Sequence, residues 1–107
     1  MAARSVADVF GRNLGRARRA ADISQEELGF VSGLHRTEIG LLERGERLPR
    51  LDTLLKVAAG VGVRIDSPLV EGISWRPGDP MAAPGMFSVS PPREKGPDGA
   101  GSGGDDG

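Results

Sequence analysis

Arg36, Arg44, Arg47 and Arg50 crowd one short stretch of the chain, with Thr37 and Leu41 among them. Side chains of these types bind rather than make or break bonds. A guanidinium fork matches guanine O6 and N7, worth about 1–3 kcal/mol of discrimination, and threonine and leucine can touch a thymine methyl. The same positive charges would neutralise phosphates. Bond-making chemistry has little to work with. The chain holds one histidine and no cysteine, which removes disulfides, thiolate metal sites and the usual histidine-rich metal or triad arrangements. No carboxylate pair, nucleophile–base set or phosphate-cradling loop stands out. We therefore expect no catalytic residue, no metal ligand and no cofactor.

These groups need rigid elements beneath them. Val6, Val9, Phe10, Leu14, Ala17 and Ala21 recur at helical spacing and predict a first helix ending near Asp22. Ser24, with Glu27 three residues on, makes a capping box. The second helix it opens covers SQEELGFV and stops at Ser32-Gly33, since glycine suits a left-handed cap. His35 can cap a third helix, with Glu38 at its capping-box position, ending at Gly45. Ile39 and Leu42 then face inward and leave Arg36, Thr37, Gly40, Leu41 and Arg44 on the outer faces.

Pro49 ends the next loop, and LDTLLKVAAGVG makes a fourth helix closed by Gly60 or Gly62. Ser67-Pro68 opens a short fifth helix through Glu71, stopped by Gly72. Leu14, Leu28, Ile39, Leu42, Leu54 and Ala58 form the expected core. No strand is expected. From Ser24 to Leu42 two short helices flank a turn of about four residues containing glycine, the spacing of a helix-turn-helix.

Charge is distributed unevenly around a formal net of −1. Residues 1–76 carry 12 Lys/Arg against 10 Asp/Glu, whereas residues 77–107 carry 2 against 5. The first part is mildly basic and the second acidic. The second part also holds 6 prolines and 8 glycines in 31 residues, a composition that predicts disorder. Within it the alternating MFSVS stretch around Phe87 and Val89 is read as part of a mobile tail. No apolar run approaches the roughly 18 residues of a membrane span, and no signal-peptide core is present, so a cytoplasmic protein is expected.

The residues FGRNLGRARRAADISQEEL, then GLHRTEIGLLERG, then PRLDTLLKVA, resemble the phage-repressor-like (Xre-type) helix-turn-helix family over roughly residues 9–65. Ser24-Gln25-Glu26-Glu27-Leu28, Gly33, Ile39, Glu43-Arg44-Gly45 and Pro49 carry the likeness. The run LHRT resembles that of restriction–modification controller proteins and many actinobacterial regulators in the family. Arginine makes up 12 of the 14 cationic residues, a usage that fits GC-rich bacterial coding.

The resemblance implies a role for each matching residue. Gln25 would hydrogen-bond a phosphate and brace the recognition helix. His35, Arg36 and Thr37 match base-reading positions, with Leu41 and Arg44 on the same face. Arg50 matches a position beside the backbone or minor groove. Arg18 and Glu43 match a structural salt bridge. Arg12, Arg16 and Arg19 recur at helical spacing as a solvated row. Gly29, where alanine is usual, and Gly40, where serine is common, depart from the pattern at a cost of about 1 kcal/mol each. Phe30 stands where a polar residue is usual, and Glu38 adds negative charge near the groove.

The expectation is an all-α, five-helix lambda-repressor-like domain at residues 6–76. A short arm (1–5) precedes it and a disordered Gly/Pro-rich acidic tail (77–107) follows. It would bind double-stranded DNA as a homodimer and regulate transcription on the nucleoid, without membrane attachment. Leu69, Val70, Ile73 and Trp75 either supply the self-association surface or cap the monomer's own core. The alternative is a protein-interaction module or antitoxin-like component of the same fold, anchored by Phe30 and Trp75.

Overall fold

In a computed structural model, which describes residues 5–66 and 68–90, the chain forms four helices and a two-stranded hairpin. The helices are α1 (Val6–Ala20), α2 (Gln25–Ser32), α3 (Arg36–Glu43) and α4 (Leu51–Val61). The strands are β1 (Ile73–Arg76) and β2 (Met86–Val89). No helix among the described residues is long and apolar enough to cross a membrane.

The helix boundaries follow from their caps. Ser5 opens α1: its hydroxyl accepts from the Asp8 N–H at 3.0 Å while the Asp8 carboxylate accepts from the Ser5 N–H. Ser5 thus belongs to the helix and not to an arm, and residues 1–4 lie outside the described residues. Ser24 and Glu27 close the expected box on α2, at 3.0 and 2.7 Å. Gly33 ends α2 at φ +70°, a conformation that costs any residue with a Cβ steric energy. Gly62, at φ +88°, closes α4, while Gly60 lies inside that helix.

Val9, Phe10, Leu14, Leu28, Ile39, Leu42, Val57, Ala58 and Leu69 make the centre of the core. Each large apolar side chain contributes about 1.5–3 kcal/mol by leaving water. Leu54 packs against this cluster, half-buried. At Gly11, a Cβ would collide with the backbone oxygens of Leu42 and Glu43. Its absence lets α1 cross directly over the end of α3.

Two expectations fail C-terminal to α4. Pro68 bridges to Arg64 and Leu69 to Gly72 form turns, not a fifth helix; Ser67 lies outside the described residues. The reason sits on α1. Asn13, only 1% exposed, donates through Nδ2 to the carbonyls of Leu69 and Glu71, both at 2.9 Å. The segment is too short to satisfy its own helical ladder, and a buried side chain satisfies it instead.

The second failure is the hairpin. β1 and β2 pair antiparallel with Ile73 opposite Val89 and Trp75 opposite Phe87, so the expected boundary between residues 76 and 77 falls inside it. Ile73 and Val89 are half-buried, and Trp75 and Phe87 form an edge-to-face pair with centroids 5.0 Å apart. The expected disorder of residues 91–107 lies outside the described residues.

Candidate nucleic-acid interface

The α2–α3 corner is held from both ends. At the turn, Leu34 N–H donates to the Gly29 carbonyl at 2.8 Å. A Cβ on Gly29 would stand 2.7 Å from the Leu34 oxygen and 3.2 Å from the Arg36 nitrogen. The glycine that departs from the family pattern therefore sets how closely α3 approaches α2, whatever it costs in helix propensity. At the far end, Glu43 joins three helices. Arg18 Nε donates to Glu43 Oε2 at 2.6 Å and Nη2 to Oε1 at 3.2 Å, while Gln25 Nε2 donates to the same Oε1 at 2.9 Å.

The Arg18 and Glu43 side chains are 13% and 10% exposed, and Arg18 also donates to the Ile23 carbonyl at 2.9 Å. The hydrogen bond to Glu43 raises the Arg18 pKa above the ordinary arginine value, against desolvation. A raised cation contributes its stability fully below its unfolded-state pKa and loses it only as pH climbs through the folded one. Arg18 consequently stays charged throughout the neutral range.

α3 is two-faced as its spacing requires. Ile39 and Leu42 are fully buried, whereas His35, Arg36 and Thr37 are exposed and Leu41 is half-buried. His35 is the N-cap, its Nδ1 accepting from the Thr37 N–H at 3.0 Å. Glu38 closes no capping box there; the imidazole does the capping.

Of Arg36, Arg44, Arg47 and Arg50, three stand beside carboxylates. Arg36 Nη1 lies 3.8 Å from Glu26 Oε1, Arg44 Nε 2.7 Å from Glu46 Oε2 and Arg50 Nε 3.7 Å from Asp52 Oδ1. All three are open to solvent, where such pairs contribute at most about 1 kcal/mol. Arg50 is the N-cap residue of α4, with no side-chain cap of its own. Arg12 and Arg19 are exposed and Arg16 half-buried.

Gln25 is half-buried and turned toward Glu43, which leaves its amide one further N–H. Of the proposed association residues, Leu69 is fully buried in the domain's own core, Ile73 packs half-buried against it and Val70 is half-buried; Trp75 remains 56% exposed. Sequence reasoning passed over Asn13, although an asparagine between Phe10 and Leu14 on the apolar stripe of α1 was a visible signal. It also passed over Leu48, Leu51 and Leu55, exposed by 54%, 72% and 50% before and along α4.

Comparison with known proteins agrees with this geometry. The helix-turn-helix family HTH_3 matches residues 14–67. The chain is similar to the control protein C.SmaI of Serratia marcescens, 37% identical over 60 residues, covering 56% of this chain and 71% of that one. Its fold is similar to the restriction-modification controller protein C.AhdI from Aeromonas hydrophila. The TM-score there is 0.55 at 38% identity, over 56% of this chain and 91% of that one. It is similar also to the P22 c2 repressor, solved with a synthetic operator. That TM-score is 0.54 at 27% identity, over 59% and 94% of the two chains.

Proposed function

The chain belongs to the helix-turn-helix family HTH_3, and on that footing we propose that it is a sequence-specific double-stranded DNA-binding transcriptional regulator. It places the first turn of α3 in the major groove, which admits one helix. The observation that carries this reading is the split of α3 itself. Arg36 and Thr37 are exposed on its outer side, while Ile39 and Leu42 are locked in the core and Glu43 is tied to Arg18 and Gln25. The helix is rigid where it must be and open where it reads. Arg36 reads a base edge; Gln25, Arg44 and Arg50 hold phosphates and set register. It acts in the cytoplasm, repressor-like, without catalysis.

One α3 reads only a few base pairs, so the active species is a homodimer on a repeated or palindromic site. Leu48, Leu51 and Leu55 give an exposed apolar row suited to that association, in place of the buried Leu69. Selection of bound sequences from a random duplex library tests the whole reading. A recovered motif with two half-sites is expected.

A second reading has one observation in its favour. Phe30 is 86% exposed beside a groove lined by Ile23, Glu26, Glu27 and Val31, a surface fit for a protein partner. If selection yields no preference over random duplex, this interaction-module reading replaces the first.

A further inference from the structure

We infer that His35 is a specificity-determining residue that offers the DNA a hydrogen-bond donor and no acceptor. The inference rests on the reading of α3 as the DNA-reading helix, and it names the chemistry of one contact.

The imidazole has two nitrogens, and the fold has already assigned one. His35 sits at the N-cap with extended backbone, φ −77° and ψ 147°, and its Nδ1 accepts from the Thr37 N–H at 3.0 Å. A nitrogen that accepts carries no proton, so the neutral ring holds its single proton on Nε2. Nε2 lies across the ring from the capped backbone, on an exposed residue. Turning the ring to show Nδ1 outward would give up the N-cap and leave the Thr37 N–H to water; it is one of the donors that a helix start leaves without an intrahelical partner. Cap and contact are therefore coupled: the bond that starts α3 also fixes the ring's outward chemistry.

An Nε2–H donor fits guanine O6 or N7, adenine N7, thymine O4 or a phosphate oxygen. It does not fit the amino groups of cytosine or adenine, which are donors themselves. Arg36, the next residue, is likewise a donor only. Two adjacent donors at the start of α3 favour a half-site with acceptors clustered there, as a guanine supplies.

The chain contains a single histidine, so long-range 15N–1H correlation on the full-length protein without DNA reads this tautomer alone. A protonated Nε2 and bare Nδ1 are expected; a proton on Nδ1 overturns the inference. The second arm uses the selected duplex. His35→Ser keeps an N-cap acceptor and should melt close to the wild type, whereas His35→Ala should melt lower. His35→Ser should nevertheless bind the selected site about 5- to 100-fold more weakly.

Analogue duplexes distinguish a base edge from the backbone: 7-deazapurine removes N7, 2-aminopurine removes guanine O6, 5-methyl-2-pyrimidinone removes thymine O4, and methylphosphonate neutralises a flanking phosphate. Wild type should lose affinity on one of these, and His35→Ser should lose little more on that same duplex. Undiminished binding by His35→Ser, or additive losses, would defeat the inference. Absence of any site preference in the wild type would instead bring down the DNA-reading premise, with the tautomer still measured.

Discussion

Asn13 Nδ2 lies 2.9 Å from the carbonyl oxygen of Leu69, 56 positions away along the chain. With the matching bond to Glu71, it fastens the segment after α4 onto α1 and fixes where β1 begins. A hairpin of two strands is marginal by itself, so its position depends on anchors of this kind.

Asn13→Ala leaves the buried Leu69 carbonyl and the partly buried Glu71 carbonyl without their donor. Each unsatisfied buried group costs about 1–3 kcal/mol, against a helix-propensity gain of about 0.5 kcal/mol. A lower urea midpoint is expected. Trp75, the chain's one tryptophan, should change emission before the helices melt, and simultaneous loss of both signals would show the hairpin is not held through Asn13.

The Arg18–Glu43 pair should behave as a unit. Glu43→Ala leaves a guanidinium with little solvent access and also frees Gln25, at a cost of about 3 kcal/mol. Arg18→Ala should cost a similar amount, and the double variant less than the sum. Additive effects below 1 kcal/mol in denaturant titration would mean that solvent screens the pair despite its burial.

Arg36 and Arg50 should part company on DNA. Arg36→Ala should cost about 1–3 kcal/mol on the best site and relax preference at one base position per half-site. Arg50→Ala should weaken specific and random duplexes alike and flatten the salt slope by about one unit for each phosphate no longer neutralised. Anisotropy titrations at several salt concentrations read both. If Arg36→Ala keeps the wild-type preference, another residue does the reading.

On the proposed reading, the carboxylates beside the arginines would compete with phosphate. Glu46→Gln or Asp52→Asn should raise duplex affinity, by up to about fivefold at low salt, and the gain should shrink as salt screens it. Unchanged affinity at every salt concentration would mean that Arg44 and Arg50 do not face the backbone.

The reading of the sequence succeeded where the determinants are local. Ser24 with Glu27, Gly33 and the Ile39–Leu42 face each act within a few residues, so four helices and the α2–α3 corner were legible. The Arg18–Glu43 pairing spans 25 positions and entered through family resemblance, not through any local pattern. Pro68 to Glu71 carried a plausible helix start, but a side chain on α1 took its carbonyls. The hairpin was hidden by composition: Gly78, Pro80, Pro84 and Gly85 read as disorder, yet they lie in the connection between two strands whose apolar residues face one another.

Because Arg36 and Thr37 project from α3 without touching the core, a substitution at either should leave the stability of the fold nearly unchanged. On the proposed reading, the bases contacted could therefore be changed one at a time while the corner that presents them stays folded. Gly29 does not share that freedom in this chain, since a Cβ there would press on the Leu34 oxygen and the Arg36 nitrogen.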